Sequence, residues 1–301
     1  MFALSTAWNA DRWLDAKPLV AEIAGLGFRS LELNFSLSAE LVRGIRREVR
    51  ARSLKITSLH NYCPFPETFK REEALPDCYS LSAADEEERR QAVFFTKRTI
   101  TTAADLGASA VVLHCGRVEI PDHTRTLMRL SLSGDPSYAA VFDAFRDERA
   151  RKAGPYLDQL LKSLDDILPA AEKNHIILGI ENRFYYREIP SLEECGIILE
   201  RYKDHPLVGY WHDVGHAFIF EKLGFVREGA LLETHGPRLR GLHLHNIKDL
   251  QDHQSPCDGD FDITRLIPYL KKDVIRVFEA HGHVPAEAIA ACRKKLEGLF
   301  P

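Results

Sequence analysis

Eight short runs rich in Val, Ile and Leu alternate with longer amphipathic stretches, and this alternation constrains the fold more than any other feature of the chain. The runs are FALST (2–6), SLELNF (30–35), KITSLH (55–60), SAVVLH (109–114), IILGIE (176–181), LVGYWHD (207–213), LRGLHLH (239–245) and VIRVFEA (274–280). Parallel strands buried on both faces read as apolar runs of this kind. Helical patterns with their own start and stop signals lie between them. Residues 38–53 open on Ser38, a capping residue, with Glu40 close behind. Residues 85–107 begin acidic and stop at Gly107, the polarity a helix favours. Residues 155–174 are amphipathic, 191–203 start at another Ser, and 285–300 place Pro285 near the first turn. Eightfold strand–helix alternation predicts an α/β fold, a (β/α)8 TIM barrel, as one domain over residues 1–301.

Two segments exceed that minimal plan. Residues 61–84 follow the third strand and carry three prolines; residues 116–154 follow the fourth. Both are expected as long loops on the C-terminal face, where such loops shape a pocket or lid.

The C-terminal ends of the strand runs carry His60, His114, Glu181, Asp213, His245 and Glu279, all metal-ligand types. The last four are spaced by 32, 32 and 34 residues, about one βα unit each. Residues at one phase of successive units point into one mouth. Buried carboxylates that converge there repel one another unless a cation joins them. Mixed oxygen and nitrogen ligation suits Mn²⁺, Zn²⁺, Co²⁺, Mg²⁺ or Fe²⁺. A lone strand-end His is more often a hydrogen-bonded core residue, a reading that weighs most on His60 and His114. Strand alternation puts His243 on the same face as His245 but one layer deeper, as a structural member.

The remaining composition narrows the partner. Lys and Arg total 40 against 44 Asp and Glu, so no basic face for nucleic acid is expected. The six cysteines form no C-x-x-C pair and read as reduced thiols of a cytoplasmic protein. The first residues lack a basic n-region, and no run of about 18 apolar residues marks a membrane span. Cys115 adjoins His114, yet strand neighbours point to opposite faces, so the two do not form a nucleophilic dyad.

IENR (180–183), HDVGHAF (212–218), HLHNIKD (243–249), CDGDFD (257–262) and FEAHG (278–282) together resemble the xylose isomerase-like TIM barrels. That family covers sugar and sugar-phosphate isomerases and epimerases and the endonuclease IV-like phosphodiesterases. The resemblance implies that Glu181, Asp213, His245 and Glu279 bind a divalent metal. In the epimerase branch Glu181 and Glu279 would also move protons on the two faces of a carbon, through a metal-stabilised enediolate. His60, His114, His216 and His253 would bind substrate, or further metals in the endonuclease IV-like branch. Position 251 carries Gln where the epimerase branch has an Arg and the hydrolase branch an Asp. Arg183 and Lys248 are the nearest cationic alternatives for substrate binding. The expected activity is thus a metal-dependent isomerase or epimerase acting on a small carbohydrate. Its alternatives are a multi-metal phosphoester hydrolase and a non-catalytic ligand-binding barrel. Self-association as a homo-oligomer is left open.

Overall fold

The computed structural model describes residues 1–299; residue 300 of the C-terminal helix pattern, and residue 301, lie outside the described residues. Eight parallel strands close a barrel: β1 (Ala3–Ser5), β2 (Ser30–Leu33), β3 (Lys55–His60), β4 (Ala110–Leu113), β5 (Ile177–Glu181), β6 (Val208–Asp213) and β7 (Leu239–Leu244), joined to β1 by the last strand. Before that strand, β8 (Asn246–Lys248) and β9 (Gln251–Gln254) form a separate antiparallel hairpin, and β10 (Ile275–Phe278) closes the ring. All eight expected runs are therefore barrel strands, each shorter than or equal to its sequence run.

Helices α1 (Ala16–Gly25), α2 (Ala39–Ala51) and α3 (Glu86–Leu106) follow the first three strands. The caps foreseen in the sequence are made: Ser38 Oγ accepts from Leu41 N at 3.2 Å, and Gly107 ends α3 with φ 73°. The segment 61–84 is an irregular loop apart from one turn at Arg71–Glu73.

The segment 116–154 is not the long loop expected. It holds α4 (Thr124–Ser133) and the first half of α5 (Tyr138–Asn174), so the helix read over 155–174 begins much earlier. Pro155 removes one backbone donor without stopping α5. The early turns are held by a buried face of Phe145, Arg149 and Ala153. Arg149 pairs with Glu194 through two contacts, of 3.0 and 2.7 Å. Glu194 belongs to the capping box that starts α6 (Leu192–Arg201). The chain then forms α7 (Val214–Lys222), α8 (Ala230–His235) and α9 (Ala286–Leu299).

The cysteines are not all reduced: Cys257 and Cys292 form a disulfide, joining the loop after β9 to α9. Their separation of 35 residues carried no pairing signal; only the fold brings their Cα atoms to 5.5 Å. Cys115 is buried, and burial pushes its thiol up to about 12. No helix among the described residues is long and apolar enough to cross a membrane.

The barrel floor is plugged by Trp211, fully buried among Ala3, Ala110, Val112 and Val277. Its ring fits because the flanking strands carry glycine. A Cβ at Gly241 would stand 2.2 Å from Trp211 Cζ3, and one at Gly179 2.8 Å from Cε3. Bulk at one position is thus matched by its absence at two others. Gly241→Ala is therefore expected to cost about 1–3 kcal/mol of stability through overpacking. Urea unfolding followed by Trp fluorescence measures it; an unchanged midpoint would show that the floor is loosely packed.

Candidate functional site

The strand ends meet at the C-terminal mouth of the barrel. Glu181 closes β5, Asp213 closes β6, and Glu279 follows β10 by one residue. His60 ends β3, while His114 and His245 stand one residue beyond β4 and β7. All six are buried. Four of them, His60, His114, Glu181 and Glu279, line a cavity of about 650 Å³ together with Arg183, His216 and His253, while Asp213 and His245 lie behind its wall.

The acids converge on His243, the residue read from sequence as structural. It is fully buried, as its deeper position implied. Its Nδ1 lies 2.5 Å from Glu181 Oε1 and 3.0 Å from Glu279 Oε2, and its Nε2 lies 3.1 Å from Glu32 Oε1. Burial alone would lower its pKa. Glu279, Glu32 and Glu181 outweigh burial and hold the imidazole well above its ordinary value. Both ring nitrogens donate, as an imidazolium requires.

Glu181 is compensated from a second side. Arg183 Nη1 donates to its Oε2 at 2.7 Å and to His114 Nε2 at 2.5 Å, and Nη2 reaches Glu188 at 3.4 Å. Burial pushes the Glu181 carboxyl up, but His243, His114 and Arg183 together hold it well below the usual range. Glu279 ends on the other side, well above that range: burial raises it too, and the neighbouring acids Asp213 and Glu181 add to that against the opposing pull of His243. His114 is driven well below its ordinary value by burial and by Arg183. Its Nδ1 is buried without a hydrogen-bond partner.

Asp213 has two tasks. As the N-cap of α7 its Oδ1 accepts from His216 N at 2.7 Å. The same carboxylate receives His245 Nε2 at 2.9 Å. The turn is tight enough that a Cβ at Gly215 would fall 1.9 Å from His245 Cε1, so only glycine admits that ring. Burial favours the neutral acid, but His216 and His245 hold Asp213 far below its ordinary pKa. His216 itself is pulled down to about 4 by burial.

His253 arrives on the β8–β9 hairpin, which turns through Asp249 and Leu250, both at positive φ. Its ring stacks between His245, at 4.2 Å, and His281, at 3.7 Å. Its own φ of 57° is costly for a non-glycine residue and marks a held conformation. Asp252 stands 3.0 Å from His253 Nδ1, beside the Gln251 that departs from the family pattern.

Nearly all the sequence-predicted residues are thus brought to one mouth; Lys248 is not. It is exposed on the hairpin, 3.4 Å from Asp258, and does not line the cavity, because β8 turns it outward. His212, beside Asp213 in β6, is buried against Tyr210, whose hydroxyl lies 2.7 Å from its Nδ1. Sequence reasoning missed Glu32, Asn182 and His281. Glu32 had a visible signal, an acid inside the apolar run SLELNF. Asn182 joins Tyr210 to the Asp213 backbone, contacts that no spacing announces.

Four groups of residues place ligand atoms within 4.8 Å of one another: Glu181–Asp213–His243–Glu279, His60–His114–Glu181, His60–His243–Glu279 and His216–His245–His253. The first contains all three expected carboxylate ligands. The expected His245 touches that group through Asp213 rather than facing Glu181 and Glu279.

Residues 20–291 match the family profile described as xylose isomerase-like TIM barrel. Among solved structures the chain is similar to 3-keto-D-glucoside 4-epimerase, YcjR, from E. coli, with a TM-score of 0.68 and 15% identity, covering 99% of this chain and 98% of that one. It is also similar to D-psicose 3-epimerase of Clostridium cellulolyticum H10, with a TM-score of 0.65 and 16% identity, covering 99% of each chain. At such identities the likeness shows the fold. Among curated proteins it is 28% identical to the uncharacterized protein y4fM of Sinorhizobium fredii over 179 residues, which is 58% of this chain and 47% of that protein. The match therefore spans about half the length of that relative.

The buried histidines carry a consequence for acid stability. Burial depresses His60, His114, His212, His216, His253 and His281, with His212 and His281 pulled down to about 3. Between pH 6.5 and about 4 the unfolded chain binds protons that these folded residues refuse, so stability falls as pH falls. His243 and His245, both raised, are protonated in folded and unfolded chain alike below pH 6.5 and add no slope there; the raised Glu279 carboxyl opposes the trend but is a single group against six rings. The urea midpoint, measured in chelator, is expected to drop across that window. A midpoint flat from pH 6.5 to 4.5 would contradict the neutral state assigned to these rings.

Proposed function

The chain belongs to the xylose isomerase-like TIM barrel family, and from that premise we propose that it is a divalent-metal-dependent isomerase or epimerase of a carbohydrate-like substrate. One observation carries the reading: three carboxylates from three different strands, Glu181, Asp213 and Glu279, converge within ligand distance of one another beside the cavity.

The donor set fits a hard or borderline divalent ion. Three buried carboxylates in one mouth need positive charge, and their oxygens are already held by the cationic side chains His243 and Arg183. Glu181, Asp213 and Glu279 would hold the ion, with His245 as the nitrogen ligand, or His243 once it has given up a proton. When bound, the ion would polarise a substrate carbonyl and its neighbouring hydroxyl. The chain's own groups then do the rest. Glu181 and Glu279 enter from different strands, so one carboxylate can take a proton from carbon while the other returns one. His114, held neutral, lines the same cavity. His60 and His216 line the same wall and orient hydroxyls.

A second reading, a multi-metal phosphoester hydrolase, draws on the groups His60–His114–Glu181 and His216–His245–His253, which could hold further ions. Metal counting separates the two. The isomerase reading expects one ion per chain by elemental analysis. It further expects that chelation abolishes turnover of a ketose panel, and that Glu181→Gln and Glu279→Gln each lower kcat roughly 10²–10⁴-fold. Undiminished turnover of either variant in chelator would sink it. Two or three ions per chain, with His60, His114 and His253 all needed for phosphodiester cleavage, would establish the hydrolase instead.

A further inference from the structure

We infer that the substrate carries an anionic group, a carboxylate or phosphate, and that Arg125 binds it at the rim of the cavity. The inference rests on the proposal that a sugar-like molecule occupies that cavity, and it narrows the substrate class.

Three arginines line the cavity: Arg71, Arg125 and Arg183. Two of them are already committed. Arg183 is buried between Glu181 and Glu188. Arg71 donates to the Ala10 carbonyl and faces Asp11 at 3.7 Å. Arg125 differs. It makes no ion pair among the described residues, and only its Nε is used, donating to Tyr185 Oη at 3.2 Å. The Nη1 and Nη2 ends of the fork are left for a ligand, the geometry that recognises carboxylate or phosphate with two parallel hydrogen bonds.

The fork is also held in place before any ligand arrives. Its Cζ lies 5.1 Å from the Phe184 ring centroid and 5.6 Å from that of Tyr185. These contacts fix a planar guanidinium and reduce the rotamer entropy lost on binding. The backbone beneath is tied down as well: Thr124, fully buried at the start of α4, accepts from Tyr186 N at 2.9 Å. Arg125 is thus positioned jointly by α4 and by the loop after β5, the strand that carries Glu181. A cavity of about 650 Å³ sits within the roughly 300–1,000 Å³ of small-molecule sites, so it has room for a sugar and a substituent. The carboxylates at the barrel centre exclude an anion there, which leaves the rim cation as its place.

The test compares a neutral ketose (fructose), a uronate (glucuronate) and a sugar phosphate (fructose 6-phosphate) as substrates of the intact protein and as ligands in calorimetry. The wild type should prefer one of the two anionic arms, and which arm is preferred identifies carboxylate or phosphate. Arg125→Ala should lower the anionic-to-neutral ratio of kcat/KM about 10- to 100-fold, mainly through KM. Arg125→Lys should recover part of that loss, since it restores charge without the fork. Arg129→Ala, which removes an exposed arginine of α4 outside the cavity, should leave the ratio unchanged. A ratio unchanged in Arg125→Ala, or a wild type that prefers the neutral ketose, overturns the inference. If no sugar is turned over, the isomerase reading fails while the calorimetry still decides this one. Anion affinity lost only in the Arg125 variants upholds it; equal affinity in wild type and Arg125→Ala overturns it.

Discussion

The arrangement of the barrel mouth follows from one electrostatic demand: four buried carboxylates need positive charge in a place where water cannot supply screening. Glu32, Glu181, Asp213 and Glu279 are each buried. The protein answers with His243 at the centre, hydrogen-bonded to Glu181 and Glu32 and 3.0 Å from Glu279, and with Arg183 hydrogen-bonded to Glu181 at the flank. A well-packed apolar set would cost less, so such a cluster is retained for a role other than stability. The oppositely shifted acids Glu181 and Glu279 are one product of this balance. The neutral, partly unpaired His114 is another.

That cluster is possible because the floor below it is apolar. Trp211 fills the lower barrel, and Gly179 and Gly241 make room for it. The next residues of the same strand, His212 and Asp213, turn from core to site within two positions. Asp213 then starts α7 with its own side chain, so the residue that ends a strand also fixes the helix that carries His216. Stability is concentrated at the floor and chemistry at the mouth, the division a (β/α)8 barrel imposes.

The strands were legible because burial on both faces leaves short apolar runs set between capped amphipathic stretches. The strand-end ligands were legible because one βα unit has nearly constant length, so a 32- to 34-residue spacing translates into convergence. Which of the two histidines meets the central acids was not legible. His243 and His245 share a face, and only the register of β7 against β6, with His243 opposite Asp213, shows which ring meets the acids. The hairpin β8–β9 escaped notice because QDHQ has no apolar alternation. It is held by backbone pairing and by His253 rather than by a buried face. The disulfide and the early start of α5 depend on contacts across the fold, Cys257 with Cys292 and Arg149 with Glu194, which local pattern cannot express.

The two long excursions explain how a common barrel acquires an individual cavity. The loop after β3 brings Arg71 to the rim, and α4 brings Arg125. Neither excursion stands alone. Arg117, after β4, bridges to Glu188 after β5, and Glu188 in turn meets Arg183 beside Glu181. Arg149, far along α5, donates to the Glu188 carbonyl at 2.8 Å. A displacement of α5 would therefore pass through Glu188 to the guanidinium that holds Glu181. The outer wall and the central acids are one connected hydrogen-bonded structure, so the loops that choose a substrate also set the geometry of the groups that act on it.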